Sequence, residues 1–438
     1  MGCDMVVALP RATADGTALF GHNSNRPAGE AQALVRTAAR SHAPGEKLRT
    51  PARELPQARQ TFAVLANRPA GLWGYRHGVN EHGVCAGVTP IRTRLAEPSP
   101  GLSGTDLVRL ALERAASARQ AVDVLTDLIS RHGQGSTGEG GRHHDALGAA
   151  DSAFLVADGQ EASALEATGR HWVLQVIGSV RAASDVCHLR QDWDRISRGL
   201  ADLAIQRGWW PENGSKLDFA GALGLEGGDN AASLRRWGRA TLLLEQQSGQ
   251  IDMVLLRRLL SDHPEAASRP EITLCRHGAD GPATAASLLV QLGPSAQAVP
   301  TAWCAFGPPC ASVYFPLYLE GDLPAGFEED GTGAGCRVWR RASALAAEAE
   351  RDAGLRAALR EATGALQERF EVEARDFANE ARALKLRGAA PELHRLAGAF
   401  MQHNLESWEY VCDSLHLSEV SARQARPGGA LHISGVVD

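Results

Sequence analysis

The sequence predicts an α+β fold in which stacked β-sheets are covered by helices on the outside. Strand-like apolar segments are concentrated in two blocks, one within the first 185 residues and one after residue 272. Each block is accompanied by segments with the apolar periodicity of helices. Because a sheet must bury its apolar face against another layer, this pattern predicts sheets packed together with helices outside. With 438 residues, the chain is long enough to bury a large core.

The beginning of the chain predicts a β-hairpin followed by a polar cluster. Met5–Leu9 is an apolar run, Asp15-Gly16 favours a tight turn, and Thr17–Gly21 is typical of a returning strand. The polar cluster is His22-Asn23-Ser24-Asn25-Arg26-Pro27. When the hairpin closes, this cluster lies near the beginning of the first strand, beside Cys3.

Cys3 has two interpretations at this position. A thiol beside the α-amino group of its own residue suits an N-terminal nucleophile, because an amine with a pKa of about 8 can serve as the activating base. Alternatively, Cys3 is a small buried apolar residue, as most cysteines are. Position alone leaves both interpretations open.

Asn80 also has two interpretations. It lies in Trp73–Gly87, a segment that predicts a strand, a tight turn and a second strand. An asparagine at such a turn tolerates left-handed φ and needs no catalytic role. Its side-chain amide is equally suited to stabilise an oxyanion in acyl transfer.

The rest of the first block combines two helices with strands. Within residues 103–133, Thr105 is the predicted N-cap of the first helix, and Ser117 with Gln120 forms a capping box for the second. The strands are predicted at Ser152–Asp158, Ala162–Ala167, His171–Ile177 and Ser179–Asp185. Asp185 ends the last of these strands, and its default interpretation is a solvated carboxylate.

The second half of the chain begins and ends with predicted helices. Residues 193–265 are predicted to be mainly helical, and Arg235 and Arg236 lie on a helix where such arginines usually form a solvated face. The helical segments 337–384 and 391–412 follow the second group of strands. Those strands are predicted at Thr284–Gln291, Thr301–Phe306 and Val313–Tyr318.

Composition argues against several classes of partner. The net charge of −6 is small for this length, so neither nucleic acid nor a membrane surface is expected as a partner. The eight cysteines are scattered without C-x-x-C or zinc-type spacing, which predicts a reducing cytoplasm, no metal and no cofactor. His143-His144-Asp145 follows a glycine-rich stretch and is interpreted as an exposed loop.

Several separate motifs carry a resemblance to a known family. They are Cys3-Asp4 before Val7-Ala8-Leu9-Pro10, the segment Gly21–Pro27, Gly78-Val79-Asn80-Glu81-His82-Gly83-Val84, Gly104–Leu110 and Leu165–Trp172. Together they resemble the secernin and bacterial PepD-like dipeptidase family of N-terminal nucleophile (Ntn) hydrolases. The resemblance implies a four-layer α-β-β-α core over residues 1–335, with a mainly helical extension over 336–438 packed on it.

The resemblance also implies an activity. Cys3 attacks an amide carbonyl and forms an acyl-enzyme that water releases, after removal of Met1-Gly2 by self-cleavage or trimming has freed the Cys3 amine. The implied substrate is a dipeptide, a small peptide or an N-acyl amine. Two alternatives stay open: an acyltransferase that passes the same acyl group to an amine, and a non-catalytic secernin-like interaction protein. A homo-oligomer is possible whichever of these functions the protein has.

Four further site residues follow from the resemblance. Related enzymes hold the cysteine amine with an Asp after the first hairpin and an Asn at a later strand end, which fall here on Asn25 and Asp185. Because these departures run in opposite directions, one amide and one carboxylate remain, and we hypothesise that they compensate. A helix arginine maps to Arg236, with Arg235 as the one-residue alternative, and Asn80 is the implied oxyanion donor. His22 replaces a usual Lys and is expected on the surface.

Overall fold

The computed structural model describes residues 2–27, 29–95, 101–135, 151–225, 230–263, 273–278, 282–293 and 299–424, with side chains as far as residue 415. In chain order the strands are β1 (Asp4–Ala8), β2 (Ala18–Pro27), β3 (Gln32–Thr37), β4 (Arg40–Ser41), β5 (Lys47–Arg49), β6 (Glu54–Pro56), β7 (Gln60–Thr61), β8 (Val64–Pro69), β9 (His77–Asn80), β10 (Cys85–Ile91), β11 (Asp151–Ala157), β12 (Ala162–Thr168), β13 (His171–Ile177), β14 (Val180–Ala183), β15 (Arg195–Ile196), β16 (Pro282–Leu292), β17 (Thr301–Phe306) and β18 (Phe315–Leu317). The helices are α1 (Gly104–Arg114), α2 (Ala118–His132), α3 (Leu200–Gln206), α4 (Phe219–Leu223), α5 (Asn230–Gln246), α6 (Met253–Leu260), α7 (Arg337–Arg351), α8 (Ala353–Leu386) and α9 (Ala390–Gln424).

Two large antiparallel sheets form the centre of the molecule. One has six strands in the order β14-β1-β2-β16-β17-β18, and the other has eight in the order β15-β13-β12-β11-β10-β9-β8-β3. The sheets face each other through contacts of β1 with β11 and of β16 with β9. Close approach depends on Gly87 of β10, because a Cβ there would lie 3.1 Å from the Met5 sulfur and 3.2 Å from Phe20 Cζ.

Helices cover both outer faces of this pair of sheets. The amphipathic helices α1 and α2 pack on the eight-stranded sheet, and α5 and α6 pack on the six-stranded sheet. The four-layer α-β-β-α sandwich predicted from the sequence is therefore confirmed. Alternation along β1 directs Asp4 towards α5, where it meets Arg236, and directs Met5 towards the opposite sheet.

The first hairpin carries the chemistry-bearing end of the six-stranded sheet. Gly16 has φ +74°, as the predicted Asp-Gly turn requires. The returning strand β2 continues as far as Pro27, so the predicted polar cluster lies within the strand and not after it. Asp4 pairs with Asn23, which places the polar half of β2 beside Cys3 as predicted.

A β-bulge interrupts the pairing of β2 with β16. Thr284 pairs with Asn25 and Ala286 pairs with Ser24, so Ala285 is an extra residue on β16. The Thr284 hydroxyl donates a hydrogen bond to the side-chain Oδ1 of Asn25 at 2.7 Å, and the Ser287 hydroxyl donates to the side-chain Oδ1 of Asn23 at 2.7 Å. The bulge thus joins β16 to two asparagines of the polar cluster.

The C-terminal helices α7, α8 and α9 are present as predicted. Their buried residues Trp339, Phe370 and Trp408 belong to the same apolar cluster as Met5 and Leu289 of the six-stranded sheet. The predicted division into a core over residues 1–335 and an extension over 336–438 stays a prediction, because this apolar cluster contains residues from both sides of residue 335. Among the described residues, no helix combines the length and apolarity needed to cross a membrane.

Local capping corrects two details of the sequence-based prediction. Ser103, and not Thr105, is the N-cap of α1: its hydroxyl accepts from the Asp106 amide at 3.1 Å, and the Asp106 carboxylate accepts from the Ser103 amide. The helix predicted over 337–384 is divided at Asp352, whose carboxylate caps α8 by accepting from the Gly354 amide. The Ser117 cap of α2 is confirmed.

Candidate active site around Cys3

Cys3 lies at the buried start of β1, facing the eight-stranded sheet. Its side chain is fully buried, and its backbone N–H donates to the Thr89 hydroxyl of β10 at 2.9 Å. This nitrogen becomes the α-amine if the Gly2–Cys3 bond is cleaved, so Thr89 is placed to hold it. Thr89 is not predicted from the sequence, because β1 and β10 lie in facing sheets and their approach is not visible in the chain.

The environment of the Cys3 thiol favours its neutral form until a base acts on it. Burial raises the pKa of the thiol, and the opposing influences are the positive charges of Arg76 and Arg26 and the backbone N–H of Asn25. The two arginines and the amide are suited to stabilise a thiolate or an oxyanion formed at this point. A deprotonating group is still required, and the amine of the same residue is the nearest one that chain cleavage creates.

Behind Cys3, a charged network is buried between β1, β14 and α5. Asp4 accepts from Ser184 at 2.6 Å and from Arg236 Nε at 3.2 Å. Arg236 also forms an ion pair with Asp185. One guanidinium thus bridges two carboxylates, as buried charges require partners to offset desolvation. Arg236 is 1% exposed whereas Arg235 is exposed, so the structure distinguishes the two alignment alternatives.

Asn25 completes this network on the side of β16. Its side-chain N–H donates to Asp4 at 2.9 Å, and its carbonyl oxygen accepts from Thr284. Asn25 therefore grips the Asp4 carboxylate, while its backbone N–H faces the Cys3 sulfur. Asp4 was noted in the sequence only as part of the Cys3-Asp4 motif. The signal for its role is a carboxylate at the start of an otherwise apolar strand.

Asp185 lies directly against the residue that precedes Cys3. A Cβ built on Gly2 would overlap the side-chain carboxyl carbon of Asp185, so only glycine fits beside this carboxylate. Asp185 is therefore not the solvated strand-end residue of the default interpretation. It lies after β14, next to the Gly2–Cys3 peptide bond, and it is tied to Arg236.

Asn80 lies away from Cys3, at the turn between β9 and β10. Its amide donates to the backbone carbonyls of Leu112 and Ala115, and its oxygen accepts from the amides of His82 and Val84, all at 2.7–3.0 Å. Every hydrogen-bonding capacity of this side chain is used in tying the β9–β10 turn to the end of α1.

The sheet register separates Asn80 from Cys3. Val79, its neighbour, pairs with Cys85, and Thr89 lies four residues further along β10. At about 3.3 Å per residue this separation is roughly 13 Å. The oxyanion assignment for Asn80 is therefore corrected to that of a structural turn residue.

His22 is buried and not on the surface. Its Nε2 lies 3.3 Å from the Val88 carbonyl, and its Nδ1 lies 2.9 Å from Nδ1 of His77. Nε2 must donate to the carbonyl, so His22 Nδ1 accepts from His77. Burial lowers the pKa of His22 to about 3, and both rings are neutral at physiological pH. This pair fills the sheet interface beside Thr89.

A second group of cysteine and histidine side chains also comes together, contrary to the sequence-based expectation. His263, Cys275, His277 and Cys310 place one ligand atom each within 4.8 Å of one another. The spacing of cysteines and histidines along the chain does not predict this cluster, because Cys310 comes from a distant part of the chain. His143-His144-Asp145, interpreted as an exposed loop, lies outside the described residues.

Comparisons with known proteins give low similarity. No protein-family profile matches the chain. Similar solved structures include penicillin V acylase from Agrobacterium tumefaciens, with 13% identity over 72% of this chain and 86% of that chain and a TM-score of 0.37. A mutant of conjugated bile acid hydrolase from Clostridium perfringens shows 14% identity over 68% of this chain and 88% of that chain, with a TM-score of 0.39.

A third similar structure is a Caenorhabditis elegans N-acylethanolamine-hydrolyzing acid amidase ortholog. Its identity is 12% over 66% of this chain and 92% of that chain, and its TM-score is 0.35. Likeness at this level establishes neither an activity nor a substrate for this chain.

Proposed function

We propose that this chain is an amidohydrolase whose nucleophile is Cys3 and whose base is the α-amine of the same residue. The observation that carries the proposal is the position of the Gly2–Cys3 bond. The Cys3 nitrogen is held by Thr89, and Gly2 packs against Asp185 at the edge of a buried ionic network. Cleavage of this bond would place an ammonium group between a hydroxyl and a carboxylate.

The charges of the network suit that ammonium group. Asp4 and Asp185 share the single guanidinium of Arg236, so this triad carries one carboxylate more than its cation neutralises. A protonated Cys3 amine supplies the missing positive charge. Opposite charges within hydrogen-bond distance stabilise each other strongly where water is excluded.

The reaction follows from these contacts. The neutral amine takes the proton of the Cys3 thiol, and the thiolate forms a C–S bond to the substrate carbonyl carbon. The ammonium then gives its proton to the leaving nitrogen as the C–N bond breaks, which leaves a thioester. Water, deprotonated by the same amine, then forms a C–O bond to the thioester carbonyl carbon. The C–S bond breaks, the carboxylic acid leaves, and the ammonium returns its proton to sulfur, which restores the thiol and the neutral amine.

Each neighbouring residue has a defined part in this scheme. Thr89 and Asp185 orient the amine, and Arg236 positions Asp185. The Asn25 backbone N–H and the charges of Arg76 and Arg26 stabilise negative charge on sulfur and on the tetrahedral oxyanion. Asn25, through its side chain, positions Asp4.

The proposed substrate is a dipeptide, a small peptide or an N-acyl amine. This class follows from the resemblance of the motifs to secernin and PepD-like Ntn hydrolases. We place the protein in the cytoplasm, because all eight cysteines lie in the described part of the chain and all are free thiols.

The proposal is tested by intact-mass measurement of the purified protein, followed by hydrolysis assays on dipeptide and N-acyl amine panels. We expect a chain that begins at Cys3 and a kcat/KM that rises with pH as the amine loses its proton, at a pKa that the anionic network raises above the ordinary value near ~8. The amine must be neutral to accept the thiol proton, so activity is lost below that pKa. Cys3→Ala should abolish turnover, and Cys85→Ala, which changes an equally buried cysteine, should leave a measurable rate.

The decisive negative result is a correctly folded chain that retains Gly2 and hydrolyses nothing. Product analysis in the presence of added amines distinguishes hydrolysis from acyl transfer. If amide products dominate over free acid, the acyl-enzyme is correct and water is not its acceptor.

A further inference from the structure

The second group of cysteine and histidine side chains, which we call the Cys/His cluster, lies on the outside of the six-stranded sheet. His263 follows α6, and Cys275 and His277 lie in the segment 273–278 that leads towards β16. Cys310 lies in a short 3₁₀ turn, Pro309–Ala311, that follows β17. The cluster therefore joins three separate stretches of chain at one point.

Distances within the cluster match the edges of a metal coordination tetrahedron. His277 Nε2 lies 3.1 Å from His263 Nε2, 3.1 Å from Cys310 Sγ and 3.4 Å from Cys275 Sγ. Zinc bonds of about 2.0–2.1 Å to nitrogen and about 2.3 Å to sulfur give tetrahedral edges of roughly 3.3–3.7 Å. The three separations from His277 Nε2 lie within this range or just below it, and all four ligand atoms lie within 4.8 Å of one another.

The three hydrogen bonds available to His277 Nε2 cannot all form at full strength at the same time. A neutral imidazole nitrogen carries either one proton or one lone pair, so Nε2 of His277 can satisfy only one partner. Three potential ligand atoms nevertheless surround it within 3.4 Å. A cation shared by all four side chains satisfies every one of them.

The surroundings of His277 resemble those of a metal ligand. Its other ring nitrogen, Nδ1, lies 3.0 Å from the Glu350 carboxylate of α7. Such a carboxylate fixes the tautomer that leaves Nε2 unprotonated and makes it more basic, which is the usual arrangement behind a ligating histidine. A cavity of about 340 Å³, lined in part by His263, His277 and Cys310, gives an ion access to the cluster.

We infer that His263, Cys275, His277 and Cys310 form a structural Zn²⁺ site. Two thiolates and two imidazoles are the donor set that tetrahedral zinc prefers, and four protein ligands leave no open position for a substrate. The inference does not rest on the activity proposed for Cys3, and the first expected contribution of the site is to stability.

The zinc site is also placed to position the Cys3 network. Between its ligands Cys275 and His277, Arg276 exchanges backbone hydrogen bonds with Thr284: its N–H donates to the Thr284 hydroxyl and its carbonyl accepts from the Thr284 N–H, both at 3.0 Å. Thr284 in turn donates to Asn25. The neighbouring Leu274 carbonyl accepts from Asn23 at 3.0 Å. The ligand-bearing segment is therefore bound to both asparagines of β2.

The test begins with the full-length chain purified under reducing conditions without chelators. Elemental analysis should find about one zinc ion per chain. Zinc should be replaceable by Co²⁺, with sulfur-to-cobalt charge-transfer bands in the near ultraviolet and the intense visible bands of tetrahedral cobalt. Chelator treatment should lower the melting temperature. Because these measurements use the unaltered chain, they do not depend on a variant that folds.

Variants then assign the ligands. Cys310→Ser and Cys275→Ser should lose the cobalt charge-transfer intensity in steps, and Glu350→Gln should weaken zinc binding by about 10–100-fold in chelator competition. Cys412→Ser and Cys3→Ala, which alter buried cysteines outside the cluster, should keep full zinc content. Retention of zinc by Cys3→Ala would also show that the site stands apart from the proposed catalytic thiol.

Three results would overturn the inference. One is a reduced, folded chain that contains no zinc and shows no cobalt–thiolate bands on titration. Another is full zinc content in the Cys275→Ser/Cys310→Ser double variant. The third is a native mass lower by two hydrogens that maps to a Cys275–Cys310 disulfide, because an oxidised pair cannot ligate zinc as thiolates.

Discussion

Replacing Asn25 by aspartate tests the buried network directly. In Asn25→Asp, a carboxylate oxygen takes the place of the side-chain N–H that donates to Asp4 at 2.9 Å. Two unit charges at this distance repel by about 6 kcal/mol at an effective dielectric constant of ~20. The pair relieves part of this repulsion by sharing a proton, so we expect a loss of about 3–5 kcal/mol in the free energy of unfolding at pH 7.

The loss of stability in Asn25→Asp should depend on pH. Sharing a proton raises the folded-state pKa of the pair formed by Asp4 and the introduced carboxylate above the unfolded value of about 3.9. The unfolded carboxylates lose their protons first, so the penalty grows as the pH rises and fades as the pH falls towards that value. Urea unfolding at several pH values from 5 to 8 would measure this trend against wild type.

The compensation hypothesis is tested in the same experiment. Adding Asp185→Asn returns the network to its original net charge and lets Arg236 serve the new carboxylate pair. We expect the free energy of unfolding of the double variant to be about 1–2 kcal/mol higher than the sum of the two single changes predicts, because residues in one network are coupled. Asp192→Asn, which changes an exposed acid outside the network, is the control. The reasoning would be refuted if Asn25→Asp were as stable as wild type at pH 8. It would also be refuted if the changes in unfolding free energy of Asn25→Asp and Asp185→Asn were strictly additive in the double variant.

Three further predictions concern single positions. Gly2→Ala places a methyl group against Asp185, so it should displace the carboxylate and slow cleavage before Cys3, as intact mass would show. Asn80→Ala removes three buried hydrogen bonds and one partly buried one, and it should lower the free energy of unfolding by about 3 kcal/mol while leaving the chain start and the pH profile of turnover unchanged. In Arg236→Lys, the lysine cannot bridge two carboxylates in the same geometry, so the free energy of unfolding should fall by more than about 2 kcal/mol. Arg235→Lys should leave the free energy of unfolding nearly unchanged.

The glycine prediction has its own control in α8. A Cβ at Gly364 meets nothing within 4 Å, so Gly364→Ala should be neutral or should stabilise the helix by up to about 1 kcal/mol. Normal cleavage in Gly2→Ala would contradict the assigned position of Asp185. A large shift in the turnover pH profile of Asn80→Ala would restore a role for that side chain near Cys3.

The sequence was sufficient for those features that depend on local pattern. Periodicity and turn chemistry predicted the helices α1 and α2 and the strands β11 to β13 within a residue or two. They also predicted the first hairpin, although its returning strand β2 runs six residues beyond the predicted end at Gly21. Arg236 was selected by the family resemblance alone, and its burial was not predicted, since periodicity gives a lysine or arginine no reason to be inside.

The remaining features depend on contacts between distant segments. Thr89 meets Cys3 because β1 and β10 belong to facing sheets, and nothing in either segment encodes that approach. Asn80 was assigned an oxyanion role because its residue type suits one, but the end of α1 supplies the two carbonyls that use its amide. The Cys/His cluster was missed for the same reason: Cys275 and His277 are close in the chain, whereas His263 and Cys310 are brought to them only by the fold.

The bulge in β16 shows how much a single residue determines. In a regular strand, positions 284 and 287 would point to opposite faces, because side chains alternate with a period of two. The extra residue Ala285 puts Thr284 and Ser287 on the same face, opposite Asn25 and Asn23. Deleting this one small residue would therefore shift the pairing by one position and turn one of the two hydroxyls away. The length of β16, and not only its composition, is a condition for an intact site.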